Sequence, residues 1–397
     1  MFVYADNAAT TAVSQKVVEA MLPYFTENFG NPSSLYTVGQ KAKDALEEAR
    51  EKIAKLLGAS PKEIYFTSGG SEADNQAIFS AARIGEKAGK KHIISTAFEH
   101  HAVLHTLDFL HDQGFDITLL PVHENGVVQV EELEKAIRED TCLVTVMYAN
   151  NEIGTIQPIT EIASLCREKG VLFHTDAVQA ISHIHIDVKE QNIDMLSLSA
   201  HKFHGPKGVG VLYARSGIAL TNVINGGAQE RGKRAGTENL AGIVGMTVAL
   251  EEAISHIDDN NARLAALQSR LIEGISKIPY SNLNGDREKR LRSNVNVCFE
   301  GVEGESLLLL LDQKGIAVSS GSACTSGSLD PSHVLLAIGL PAEVAHSSLR
   351  ITLGDDATEE QVDYIVNTVS EVVEYLRGFS PFWDELSSGK RPHIFKE

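Results

Sequence analysis

The stretch Asp194-Met-Leu-Ser-Leu-Ser-Ala-His-Lys-Phe-His-Gly-Pro-Lys-Gly208 sets Lys202 at the end of an apolar run, between His201 and His204. Residues 195–199 predict a short buried strand, so the lysine follows directly on a strand end. Lysine is almost never fully buried without a partner, because stripping water from an ammonium is expensive. Desolvation lowers the pKa of such an amine, and a neutral amine is what forms a Schiff base with an aldehyde cofactor. Taken alone, the segment favours a solvated lysine just past a strand end. The rest of the chain reverses that reading.

Outward from Lys202, short apolar strands alternate with helical patterns. Further strands are predicted over 62–68, 92–96, 116–122, 142–148, 171–175 and 209–213, with helices over 71–84 and 159–169. Such alternation gives a mostly parallel sheet covered on both faces. From about Asn260 the texture changes. A charged helical stretch over 261–278 leads into loops, a strand over 294–299 and an amphipathic helix over 359–376. The expected organisation is a large α/β domain over 16–258, with a smaller α+β domain formed by 1–15 and 259–397. The smaller domain carries a mobile loop around Cys324.

A chain of 397 residues with a formal charge of −18 has room for a large core and is a poor match to nucleic acid or an anionic membrane. The start, Met1-Phe-Val-Tyr-Ala-Asp, carries no basic, apolar leader, and the leucine run 307–311 is too short to span a bilayer. Cys142, Cys166, Cys298 and Cys324 show no CxxC spacing, which fits a reducing cytoplasm better than a zinc site or disulfides.

Ser68-Gly-Gly-Ser-Glu-Ala-Asp-Asn75 lies between a strand and a helix. Gly69 and Gly70 let backbone approach a ligand, the helix start offers free N–H groups, and Ser71 adds a hydroxyl as N-cap or first-turn donor. An ordinary capped helix accounts for the segment equally well. His174-Thr-Asp-Ala-Val-Gln179 ends another strand. In α/β sheets ligands sit beyond the carboxyl ends of strands, where Asp176 would keep a pyridinium nitrogen protonated and Gln179 would reach the same ligand. By itself a helix-capping aspartate is the better account there.

Phe98-Glu-His-His-Ala-Val103 offers His100 and His101, with His105 and His111 further on. No cysteine or carboxylate cluster completes a metal set, and adjacent histidines cannot share one helix face. A ring stacked on a flat cofactor suits one of them better. Ala317-Val-Ser-Ser-Gly-Ser-Ala-Cys-Thr-Ser-Gly-Ser328 places Cys324 among small residues, in the manner of a thiol that travels. Cys142 and Cys166 read as core.

Together these segments resemble the pyridoxal-phosphate (PLP) dependent cysteine desulfurases of the NifS/IscS type, fold-type I members of the class V aminotransferase group. The resemblance runs from Tyr4-Ala-Asp-Asn-Ala-Ala-Thr-Thr11, through Gly30-Asn-Pro-Ser-Ser34 and Asn150-Asn-Glu-Ile-Gly-Thr155, to Ser348-Leu-Arg-Ile-Thr-Leu-Gly354. It implies a seven-stranded, mostly parallel sheet flanked by helices. It makes Lys202 the Schiff-base lysine, Cys324 the persulfide-forming nucleophile and His100 a catalytic ring stacked on the pyridine. Asp176 pairs the ring nitrogen and Gln179 bonds the phenolic oxygen. Gly70, Ser71, Ser199 and His201 hold the phosphate, while Asn151 and Arg350 hold the substrate, Asn151 also touching the cofactor. Thr237, in Arg234-Ala-Gly-Thr-Glu-Asn239, reaches the phosphate of a neighbouring subunit, which implies a homodimer.

Three departures stand out: Gly-Gly-Ser-Glu at 69–72 where many relatives have Ala-Thr-Glu, Gly226-Gly-Ala228 for a triple glycine, and Ala235 where serine is frequent. None touches the lysine, cysteine or arginine. The implied reaction takes L-cysteine to L-alanine with sulfur held on Cys324. Sulfur then passes to an iron–sulfur scaffold protein or another acceptor, tRNA thiolation included. No permanent metal is implied, with Cys324 a candidate transient iron–sulfur ligand shared with a scaffold. The rival readings are a selenocysteine lyase or an aminotransferase on the same scaffold, and an inactive scaffold without cofactor.

Overall fold

The computed structural model describes residues 1–320 and 331–395. Its strands are β1 (Val3–Tyr4), β2 (Ile64–Thr67), β3 (His92–Thr96), β4 (Asp116–Leu120), β5 (Thr141–Thr145) and β6 (Leu172–Asp176). There follow β7 (Met195–Ser199), β8 (Gly210–Ala214), β9 (Ser281–Leu283), β10 (Asn294–Phe299), β11 (Ile316–Ala317) and β12 (Ser348–Thr352).

Seven of these form one sheet in the order β2-β8-β7-β6-β5-β3-β4. Its ladders are parallel except where β8 pairs antiparallel with both β2 and β7, so β8 alone runs against the rest. The strand expected over 62–68 is shorter because Pro61–Glu63 forms a 3-10 turn, closed by the Ser60 N–H donating to the Glu63 carboxylate. Strand side chains alternate between two helical layers. Ile93, Leu143, Met195 and Leu212 face the helix Gly70–Lys87, against Ala73, Ala77, Ile78 and Ala81. Ile94, Val144, Leu196 and Val211 face the other side, with Leu46 and Ile53 of the helix Thr37–Leu56 and Ile243 and Leu250 of the helix Leu240–Ser255. Burial on both faces is why these strands read as near-continuous apolar runs.

A second core lies around the antiparallel sheet β12-β10-β9. The helices Ile257–Ile275 and Glu359–Arg377 pack Leu264, Leu271, Ile365 and Val369 against Val295, Val297, Leu349 and Ile351. Val3 and Ala5 belong to this core, because β1 pairs parallel with β11. The chain then crosses to the large sheet, and its first helix, Gln15–Met21, packs on Leu240–Ser255. Among the described residues no single helix is long and apolar enough to cross a membrane.

Candidate active site

The carboxyl ends of β6 and β7 and the start of the helix Gly70–Lys87 meet at a cleft of about 300 Å³. Ten of the residues singled out in the sequence line it: Gly70, Ser71, His100, Asn151, Asp176, Gln179, Ser199, His201, Lys202 and Arg350. Ala8, Ala9, Asp74, Met147, Ala149 and Val178 complete it.

Lys202 ends a 3-10 turn, Ala200–Lys202, that follows β7. It is half-buried rather than desolvated, and its Nζ donates to the carbonyls of Ala8 at 2.6 Å and Ala9 at 2.9 Å. Its neighbours are clamped by the same N-terminal arm. Thr11 Oγ1 donates to the His201 carbonyl at 3.0 Å and accepts from the His204 N–H at 2.7 Å, where His204 takes a left-handed φ of 61°. Gln179 Nε2 donates to Ala8 O at 2.9 Å. Arm, lysine and glutamine thus share one carbonyl.

Asp176 ends β6, and its Oδ1 accepts from the Val178 N–H at 2.9 Å, closing a local turn. Burial raises its pKa, and the neighbouring His100 and Lys202 pull it back. Asp74, one helical turn beyond Gly70 and facing inward, lies behind it. Burial and the Asp176 charge push Asp74 well above the usual carboxylate range. His100 caps the helix His101–Asp112, its Nδ1 accepting from the Ala102 N–H at 3.1 Å. That bond leaves any proton of the neutral ring on Nε2. Burial also lowers the His100 pKa and pushes His201 down to about 4, with Lys202 adding to the latter.

Ser71 stands in the first turn of its helix, whose N-cap is Gly69. A Cβ on Gly70 would meet Val178 Cγ2 at 2.7 Å, so only glycine keeps this corner open. Arg350, on β12, is 3% exposed. Its Nη2 donates to Asp6 Oδ1 at 2.9 Å and its Nη1 to Asn151 O at 3.2 Å. Its backbone exchanges hydrogen bonds with Ser319.

Of the described site residues, Thr237 is not in this cleft. It lines a separate pocket of about 170 Å³ with Ser68, Glu230 and Arg234. There Glu230 and Arg231 hold left-handed φ values of 46° and 56°, kept by the buried pair of Arg50 and Glu230 at 2.7 Å. Cys324 lies outside the described residues. After that segment Ser332 Oγ donates to the buried Glu152 carboxylate at 2.5 Å. Cys142, Cys166 and Cys298 are free and buried, their thiols pushed up to about 11, 12 and 12 by desolvation. His101 lies 5.0 Å from His105 and 4.6 Å from His333 between ring centroids. Among the described residues no three His, Cys, Asp or Glu side chains are arranged to hold a metal ion.

The reading of single segments did not assign roles to Asp6, Ala8, Ala9 or Asp74. The carbonyls carry no side-chain signal. Asp74 was legible in principle, because it falls four residues after Gly70 and so on the same helix face.

The profile of the Aminotransferase class-V family matches residues 3–365. The chain belongs to that family. Within it the chain is of the NifS/IscS type. It is 56% identical over 391 residues to a protein of Clostridium botulinum named cysteine desulfurase IscS, covering 98% of each. It is 47% identical to the Azotobacter vinelandii protein named cysteine desulfurase NifS, over 96% of this chain and 95% of that one. A solved structure titled NifS-like protein superposes with a TM-score of 0.89 at 41% identity, covering 94% of this chain and all (100%) of the other. The fold is the fold-type I architecture of PLP enzymes, and the family uses PLP. The residues present fit that group: an amine, a buried carboxyl, an imidazole face, and a helix N-terminus beside hydroxyls at an open glycine corner.

Proposed function

We propose that this chain desulfurates L-cysteine, releasing L-alanine and leaving the sulfur on Cys324 as a persulfide. The observation that carries the reading is one cleft lined by Lys202, Asp176, His100 and Arg350, in a chain of the NifS/IscS type. PLP, held by Lys202 with its phosphate at Gly70, Ser71, Ser199 and His201, supplies an electron sink for charge developed at the substrate Cα. Asp176 would accept a hydrogen bond from the protonated ring nitrogen, His100 would lie against the ring, and Gln179 would meet its oxygen. Arg350 grips the substrate carboxylate, with Asn151 beside it. Lys202 moves the Cα proton. The Cys324 thiolate then attacks the substrate sulfur: an S–S bond forms, the Cβ–S bond breaks, and two protons, the one taken from Cα and the one lost by the Cys324 thiol, return to Cα and Cβ to complete alanine. Atoms and electrons balance without a further oxidant.

Several finer readings go with this. The three buried cysteines, with thiols held protonated, support Cys324 as the nucleophile. The exposed Leu22, Phe25, Phe29 and Leu35, the last 92% exposed, support a homodimer in which Thr237 reaches the neighbouring subunit's phosphate. Residues 16–258 act as the cofactor-binding domain, with 1–15 and 259–397 as the smaller one. The sulfur acceptor is an iron–sulfur scaffold protein or another carrier, Cys324 serving as a transient iron–sulfur ligand on the way. The free buried thiols support residence in a reducing cytoplasm.

The test is the product balance. Purified protein given L-cysteine and a thiol reductant releases alanine and sulfide in equal amounts. Keto acid in place of sulfide would make it an aminotransferase.

A further inference from the structure

Arg350 has three hydrogen-bonding nitrogens, and the structure treats each differently. Nη2 donates to Asp6 Oδ1 at 2.9 Å, Nη1 donates to the Asn151 carbonyl at 3.2 Å, and the buried Nε has no hydrogen-bond partner among the described residues. A guanidinium is flat and its N–H groups form a fixed fork, so pinning one nitrogen decides which edge faces the cleft. Asp6 does not itself line the cleft, whereas Arg350 does.

Asp6 is also firmly placed. It bridges to Thr352 on β12, the strand that carries Arg350. The Ala8 N–H donates to Thr352 Oγ1 at 2.9 Å, and the Tyr4 hydroxyl donates to the carbonyls of Asp6 at 3.2 Å and Thr10 at 2.8 Å. The same arm ends on Lys202 through Ala8 and Ala9. One short segment therefore touches both cations of the cleft: a carboxylate on the arginine, two carbonyls on the lysine.

We propose that Asp6 is a positioning residue for substrate selection, which holds one arm of the Arg350 guanidinium so that its remaining N–H edge meets an α-amino acid carboxylate. This rests on the reading that Arg350 takes the substrate carboxylate. Without Asp6 the guanidinium keeps only the Asn151 carbonyl among the described residues, and its orientation is held less tightly. The buried Nε–H, which has no partner among the described residues, is a donor open to that carboxylate, and an unmet buried donor is costly.

The test uses the PLP-loaded protein and two ligands that differ only in the carboxylate, L-alanine and ethylamine, followed by the change in cofactor absorbance. Asp6→Ala raises the apparent Kd of L-alanine at least about tenfold, the scale of one lost charge-assisted hydrogen bond, and leaves ethylamine within about twofold. Asp6→Asn keeps the shape and an acceptor oxygen, so it folds as the wild type does and shows a smaller loss of about three- to tenfold for L-alanine alone. Equal loss for both ligands would make Asp6 a purely structural residue. Unchanged L-alanine binding in both variants, or a wild type that binds L-alanine no better than ethylamine, would also overturn the proposal. A wild type that binds L-alanine yet releases no sulfide from L-cysteine removes the desulfurase reading and leaves the role of Asp6 intact.

Discussion

His174 Nε2 lies 3.6 Å from Asp74 Oδ1, with side chains 0% and 1% exposed. The imidazole also spans two hydroxyls, Thr145 at 2.8 Å and Ser197 at 3.0 Å. Burial pushes its pKa down to about 3, while burial and the Asp176 charge hold the Asp74 carboxyl far above its usual range. Behind Asp176 there is thus a buried polar layer in which desolvation works against charge on both the imidazole and the carboxyl. It leaves the Asp176 charge to be met from the cleft side, by His100 and Lys202.

This arrangement predicts an acid-dependent loss of stability. Below pH 6.5, the ordinary histidine value, the unfolded chain takes up a proton that folded His174 refuses until about pH 3. Stability therefore falls as pH falls through that window, by up to about 1.4 kcal/mol per unit. Asp74 titrates with the opposite sign, so the single variant isolates the histidine. His174→Gln should lose stability at pH 7 and regain ground on the wild type as the pH goes to 4, read by urea unfolding. A difference that stays constant with pH would show that the ring protonates in the folded protein.

Lys202→Ala should abolish borohydride fixation of PLP while the fold is kept. The lysine is half-buried at a turn, and its removal takes one donor from each of two carbonyls beside the cleft, of which Ala8 O keeps Gln179, rather than opening a core cavity. Mass mapping of the reduced protein checks this. Label persisting on another lysine would refute the assignment.

Arg350→Lys should weaken apparent L-cysteine binding by about 1–3 kcal/mol. Lysine offers a point charge where the fork now serves Asp6, Asn151 and the cleft together. Saturation kinetics and spectral titration both report it. Unchanged saturation would make the arginine structural.

Cys324→Ser should still bind L-cysteine and shift the cofactor spectrum, yet form no persulfide and almost no sulfide. Cys142→Ser and Cys166→Ser should keep activity where they fold, because both thiols are buried and held protonated. Persulfide labelling and sulfide release separate the cases. A Cys324→Ser variant working at the wild-type rate would point instead to a direct lyase.

The alternation of strands with helices was legible because burial on both faces writes itself into short range. Runs such as Cys142-Leu-Val-Thr145 read apolar whichever way each side chain points, and the strands appear where those runs fall. Boundaries slipped where local turn chemistry intervened. The strand expected from 62 begins at Ile64 after a proline-led turn, and the helix expected over 261–278 runs Ile257–Ile275. The strand-end positions of Lys202 and Asp176 were legible for the same local reason.

By itself, then, the sequence determined the sheet, the strand-end lysine and aspartate, and through the order of its motifs the family. These depend on periodicity and on residue types within a few positions of one another. Only the tertiary structure decided that Ala8, 194 residues from Lys202, supplies its acceptor, and that Asp6, 344 residues from Arg350, pins its guanidinium. Such pairs are made by chain closure. A backbone carbonyl has no residue type to announce it, and a carboxylate finds its cation only when β1 has paired with β11 and carried the arm across to β12.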